Sequence, residues 1–261
     1  MTTFDTPDAL DATTKEALID LLYRMADDEI VLGHRDSEWT GHAPIIEEDI
    51  AFSSMAQDEM GHALAYYNLL TELGEPDADT MAFGRSASDY RCASLVCLPK
   101  GDWAFSLVRQ YLFDAAEGVR LAALAASTFT PLANIARKLA GEEKYHLMHG
   151  RTWIVRIGAA TDESRRRMQT AVDEAYPHAL GLFEPTSADE ILAQSGICPR
   201  EADLRAQWES SVAPVLADAE LKVPEGVTPQ YGGRTGVHPA ALADLLESMQ
   251  LVYNIDPSAK W

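Results

Sequence analysis

Basic residues are scarce in this sequence: 21 Lys and Arg stand against 41 Asp and Glu, a formal charge of −20. With no Lys/Arg-rich run, that deficit excludes binding along a nucleic-acid backbone and adsorption to an anionic membrane surface. Cysteine is scarce too. Cys92, Cys97 and Cys198 are odd in number and form no C-x-x-C pair. That argues against a disulfide framework or a zinc-finger pattern and leads us to expect free thiols in a reducing cytosol. No apolar run approaches the ~18 residues of a membrane span. Residues 1–8 offer neither the basic nor the apolar stretch of a signal peptide, so a cytoplasmic protein is expected. Alternating β-branched runs, repeats and low-complexity tracts are lacking, which removes the all-β and solenoid classes. What is plentiful is apolar side chain, 47% of the chain, enough for a substantial core.

The apolar spacing is helical almost throughout. It predicts helices over about 14–40, opened by a Thr13/Glu16 capping box, and 45–73, stopped by Gly74. A long connection over 75–101 with a short helix follows, then helices over about 102–127 and 132–157. Further helices are expected over about 162–181, started by Thr161 or Asp162, and at 199–218 and 238–252. Ser187 with Glu190 reads as another capping box. Two long hairpins joined by a crossover describe an all-α, ferritin-like four-helix bundle. We expect a single domain over 1–261, with the bundle at about 14–158 and a C-terminal helical extension at about 159–261.

Two of these helices carry the same short motif: Glu59-Met-Gly-His62 and Glu143-Lys-Tyr-His146. A Glu and a His three apart project from one helix face and can grip one metal. Composition alone predicts roughly half an occurrence of Glu-x-x-His, so the pair is informative. Taking the first turn to pivot near Pro44, Glu29 lies as far before it as Glu59 lies beyond. Taking the second near Thr130, Glu117 mirrors Glu143. Residues equidistant from a hairpin turn share a height because each rises ~1.5 Å. Each hairpin thus offers one Glu and one Glu-x-x-His, the di-iron carboxylate pattern.

Four carboxylates in a dry core each cost several kcal/mol unless neutralised, and two divalent ions remove that cost. A salt-bridged or protonated cluster is the alternative. Oxygen-rich ligation with one imidazole per metal suits iron, with manganese second. Asp58 and Glu142, each just before a motif, are candidates to accept the outer N–H of a ligating histidine. Of the tandem Tyr66-Tyr67, only one is expected to face inward. Cys92 and Cys97 are read as buried, inert thiols rather than a redox pair, and His34, His42, His149, His178 and His238 as ordinary.

The segments Gly33-His-Arg-Asp-Ser-Glu-Trp-Thr-Gly-His-Ala-Pro44, Glu47-Glu-Asp-Ile-Ala51 and Asp58-Glu-Met-Gly61 resemble PaaC-type subunits of bacterial phenylacetyl-CoA 1,2-epoxidases. So do Arg109-Gln-Tyr111, Tyr145-His146, Gly232-Gly-Arg-Thr-Gly-Val-His238 and Met249-Gln250. The similarity runs from about residue 17 to Trp261. It implies a component of a ring-epoxidising oxygenase in aerobic phenylacetate catabolism. Such a component pairs, as a homo- or heterodimer within a larger complex, with a ferritin-like partner that carries the working di-iron site and binds the CoA thioester. A separate reductase holds flavin and an iron–sulfur cluster and draws on NADPH. In some PaaC-type subunits the ligands are partly replaced; this chain keeps Glu29, Glu59, His62, Glu117, Glu143 and His146 together. Two other readings stay open at this stage: an oxygenase active at its own site, and an iron-storage or ferroxidase protein.

Overall fold

The computed structural model describes residues 3–259. Met1, Thr2, Lys260 and Trp261, the last being the far end of the resemblance, lie outside the described residues. Ten α-helices are found among them: α1 (Ala12–Ser37), α2 (Ile46–Glu72), α3 (Ala78–Phe83), α4 (Ser94–Cys97), α5 (Trp103–Leu124), α6 (Thr130–Gly158), α7 (Asp162–Ala179), α8 (Asp189–Ser195), α9 (Glu201–Asp218) and α10 (Ala240–Met249). No strand occurs among the described residues, only an isolated bridge between Phe4 and Phe129. The fold is all-α and ferritin-like, as expected. No helix among the described residues is long and apolar enough to cross a membrane.

Helix starts follow local chemistry, with two corrections. Asp11, not Thr13, opens α1: its carboxylate accepts from the Thr14 N–H at 3.0 Å and from the Thr14 hydroxyl at 2.7 Å. A carboxylate that can accept two bonds outcompetes the Thr13/Glu16 box. Before α8 the expected Ser187/Glu190 box does not form. Thr186 takes its place, accepting from the Ala188 N–H and donating to Asp189, both at 3.2 Å. Thr161 caps α7, as its spacing predicts, and Asp102, expected as the first residue of its helix, instead caps α5.

The turns also explain why the assumed hairpin pivots work although the helices end early. After Ser37 the chain keeps winding through Thr40→Ser37, His42→Trp39 and Ala43→Trp39 bonds, so reversal falls close to Pro44. After Leu124 it winds on through Ala126→Ala123 and Ser127→Leu124, carrying reversal toward Thr130. The crossover is richer than expected, holding α3, a 3₁₀ turn over Ala87–Asp89 and α4.

The chain divides into two compact units, one of residues up to 17 with 100–231, the other of 18–99 with 232 onward. In the first, Trp208 of α9 is the anchor. It is fully buried, its indole N–H donates to the Leu112 carbonyl at 3.0 Å, and it packs on Tyr176 and Phe183 at centroid distances of 5.3 and 5.4 Å. An indole that buries its ring and satisfies its one donor supplies both apolar area and direction.

In the second unit, Asp27 and Asp28 of α1 fasten the crossover. Asp27 accepts from the Tyr67 hydroxyl at 2.7 Å, from the Arg91 N–H at 2.7 Å and from the Arg85 guanidinium. Tyr66 and Tyr67 are consequently both buried, correcting the expectation for the pair. Positions ~100° apart both face inward because α2 is covered over a broad arc, and Tyr67 meets a carboxylate at its far end. Burial and the adjacent Asp27 charge hold the Tyr67 phenol well above its ordinary pKa.

Candidate metal centre

In the second unit Glu29 of α1 and Glu59 and His62 of α2 converge with their side chains shut off from solvent. His62 Nδ1 lies 3.4 Å from Glu59 Oε2 and 3.7 Å from Glu29 Oε1. Gly33, one turn beyond Glu29, allows this approach. A Cβ there would stand 3.1 Å from the Ala56 carbonyl oxygen and 3.2 Å from Glu59 Cβ. The helices meet backbone to side chain where the ligands sit.

In the first unit Glu143 and His146 of α6 are likewise buried, with His146 Nδ1 3.6 Å from Glu143 Oε2. Gly150, one turn beyond His146, plays the part of Gly33: a Cβ there would lie 3.2 Å from Tyr111 Cβ on α5. Glu117 of α5 is buried, and its Oε1 lies 3.4 Å from Arg120 Nε. Arg120 is itself tied to Glu201 of α9 by bonds of 2.8 and 3.0 Å and to the Leu182 carbonyl at 3.3 Å. Burial alone would lower the Arg120 pKa, but the Glu201 charge and hydrogen bonds outweigh it and hold the value well above its ordinary one. Asp58 and Glu142 are half-buried beside the two motifs.

These donor sets fit a hard or intermediate divalent cation. Separations of 3.4–3.7 Å exceed the ~2.7–2.9 Å of a charge-assisted hydrogen bond. They lie within a few tenths of an ångström of the roughly 3–3.5 Å between two ligand atoms that share a metal at ~2.0–2.2 Å. Carboxylate oxygens with one imidazole per set suit iron or manganese better than copper or structural zinc. Buried anionic groups at this density need a counter-charge, which a bound cation would supply.

A third cluster escaped the sequence reading. Cys92 and Cys97, from the crossover, lie with His238, from the segment before α10. Nothing local marks it, because His238 stands 146 positions from Cys92. The Asp27–Asp28 anchor was missed for a related reason. Asp27 and Asp28 directly precede the candidate ligand Glu29 and carry no motif of their own, yet both are buried.

A chain of paired long helices, with a buried Glu-x-x-His on the second helix of each pair, is a ferritin-like carboxylate protein. The family model "Phenylacetic acid catabolic protein" matches residues 1–261, and the chain belongs to that family. Two relatives come from Escherichia coli (strain K12), both components of its 1,2-phenylacetyl-CoA epoxidase. To the C-type component the chain is 35% identical over 239 residues, 91% of this chain and 96% of the relative. To the A-type component it is 26% identical over 174 residues, 66% of this chain and 55% of the relative. Within the family the chain is therefore of the PaaC type.

Proposed function

We propose that this chain is the PaaC-type component of a phenylacetyl-CoA ring-epoxidising oxygenase in aerobic phenylacetate catabolism, where it pairs with and supports a catalytic di-iron partner. The observation that carries this reading is similarity along nearly the whole length of both chains to the C-type component of an epoxidase. Exposed apolar side chains support a partner-binding role. Ile45, Ile46 and Ile50, at and around the start of α2, are 45%, 67% and 64% exposed, an unusual grouping for a surface that only meets water. The net charge of −20 does not steer an anionic CoA ester to this chain, so the thioester site belongs to the partner. A cytoplasmic location and a separate reductase holding flavin, an iron–sulfur cluster and the NADPH site complete the reading.

Glu29, Glu59, His62, Glu117, Glu143 and His146 are the residues that hold a pair of divalent ions, iron first and manganese second. Bound iron would supply O₂ binding and reductive activation. The chain's own part is to neutralise and fix that charge: the glutamates supply negative oxygens in a dry setting, and each imidazole shares a helix face with one of them. Arg120 offsets part of the Glu117 charge.

The test is to produce the chain with and without the catalytic partner, then measure co-elution, iron and manganese per chain, and epoxide formation. The expected result is a stable heteromer, metal bound to this chain, and no turnover by this chain alone even with reductase and iron. Turnover by the isolated chain at the rate of the complex would promote the autonomous oxygenase. A chain that elutes alone in the partner's presence would remove the supporting role.

A further inference from the structure

We propose that Cys92, Cys97 and His238 form a second metal site, built for a borderline-soft divalent cation of the zinc class and separate in chemistry from the carboxylate ligands. The two sulfurs lie 3.4 Å apart, and His238 Nδ1 lies 3.9 Å from Cys92 Sγ and 3.8 Å from Cys97 Sγ. Three donors thus form a nearly equilateral triangle. Around a tetrahedral ion with Zn–S of ~2.3 Å and Zn–N of ~2.0–2.1 Å, ligand atoms stand about 3.5–3.8 Å apart. Movements of a few tenths of an ångström bring the triangle to those values.

In its neutral state the histidine is in the ligating form. Its Nε2 lies 3.0 Å from the Tyr90 carbonyl oxygen. A carbonyl only accepts, so Nε2 carries the hydrogen, and in the neutral ring the bare lone pair of Nδ1 faces the sulfurs. Metal-bound histidines are commonly fixed by such an outer N–H to a carbonyl.

The framework around the triangle is rigid. Asp28 accepts from the Ala93 N–H at 2.6 Å and pairs with Arg234 at 2.8 Å, and Arg234 also donates to the Arg91 carbonyl at 2.9 Å. This clamps the segment before His238 onto the segment that carries Cys92. Gly233 and Gly236 permit the contact: added Cβ atoms would stand 2.3 Å from the Cys92 carbonyl oxygen and 2.2 Å from that of Ser88, and Gly236 has φ +83°. Both cysteines are fully buried while His238 is half-buried. Three protein ligands leave a fourth position for water or a small ligand. Cation binding to such a pair releases the thiol protons.

The test uses the full chain, reduced and freed of metal by a chelator, and titrated with Co²⁺ alone. Thiolate-to-cobalt charge transfer absorbs in the near ultraviolet, and carboxylate–imidazole ligation does not produce it, so the two kinds of site are read separately. The expected result is one cobalt per chain with that band, displaced by Zn²⁺. The band should be lost in Cys92→Ser and weakened at least ~10-fold in apparent affinity in His238→Gln. It should be unchanged in Cys198→Ser and in Glu143→Ala. Circular dichroism separates ligand loss from unfolding, and His238→Gln, half-buried, serves if the cysteine variants fail to fold. A band that is absent at saturating cobalt, or that survives in both His238→Gln and Cys92→Ser, overturns the proposal. Reduced protein that gives no band and reoxidises to a Cys92–Cys97 disulfide overturns it in favour of a thiol pair.

Discussion

The two Glu and Glu-x-x-His sets look alike in sequence but are built differently. In the second unit the first-helix glutamate, Glu29, comes within 3.7 Å of the imidazole of His62. In the first unit its counterpart, Glu117, stands 3.4 Å from Arg120, a buried cation fastened to Glu201. One glutamate is thus turned to an imidazole, the other to a fixed positive charge. An arginine never gives up its proton in a protein, so a metal bound near Glu117 competes with a neighbour that cannot be titrated away. Two copies of a motif need not have equal affinity, and the neighbouring cation sets the difference.

The largest effect should come from removing that cation. Arg120→Ala leaves Glu201 buried without its partner, which typically costs about 3–5 kcal/mol, measurable by urea denaturation of metal-free protein. The metal-induced rise in melting temperature should be greater in this variant than in the natural chain, because the ion then neutralises Glu117 unaided. An equal rise in both would remove the proposed competition.

Metal itself ranks next. At 100 times Kd one site adds about 2.7 kcal/mol, or roughly 5–10 °C for a chain of this size. Glu59→Ala and His62→Ala in one set, and Glu143→Ala and His146→Ala in the other, should each abolish most of the shift from the ion they ligate. If Glu143→Ala responds to saturating iron and manganese as the natural chain does, the dimetal assignment fails.

Helix approach comes third. Gly33→Ala and Gly150→Ala should each cost about 1–3 kcal/mol, because the new methyl meets backbone or Cβ atoms at 3.1–3.3 Å. Gly61→Ala, on α2 with open space around it, should be neutral or stabilise by about 0.5–1 kcal/mol through helix propensity. Equal losses at all three positions would mean that the close approach is not what the glycines provide.

The smallest effect is expected on the exposed face of α7. Hydrogen bonds from Arg166 and Arg167 hold the Glu163 carboxyl down at about 2. A depressed carboxyl adds stability above its unfolded value near ~4.3 and loses it as pH falls toward ~2. The group is fully exposed, so Glu163→Ala should leave the metal-induced shift intact and change stability little at neutral pH. An NMR titration midpoint near the ordinary glutamate value would overturn the pairing.

Much of the fold was legible because helical order is local. The spacing of Leu18, Leu21, Leu22 and Met25, and the cap at Thr161, depend on neighbours within a turn. The Glu59/His62 and Glu143/His146 pairs were legible for the same reason: three residues apart on a helix is a statement about one face. The convergence of Glu29 on His62 followed from hairpin arithmetic, aided by turns that wind on past the helix ends. Caps where two acceptors competed, at Asp11 and Thr186, were misread, since the difference between rival side chains is about one hydrogen bond.

Sequence by itself determined the helical class, the two Glu-x-x-His faces and the family, because each is carried by residues close together in the chain or by similarity along it. Tertiary structure decided which buried charges meet a counter-charge from a distant segment of the protein. Arg120 meets Glu201 across 81 positions, Arg234 meets Asp28 across 206, and His238 meets Cys92 across 146. No periodicity encodes such pairs. They follow from how the helices and the crossover pack, and in a dry interior it is packing that determines whether a buried charge finds a counter-charge from another segment.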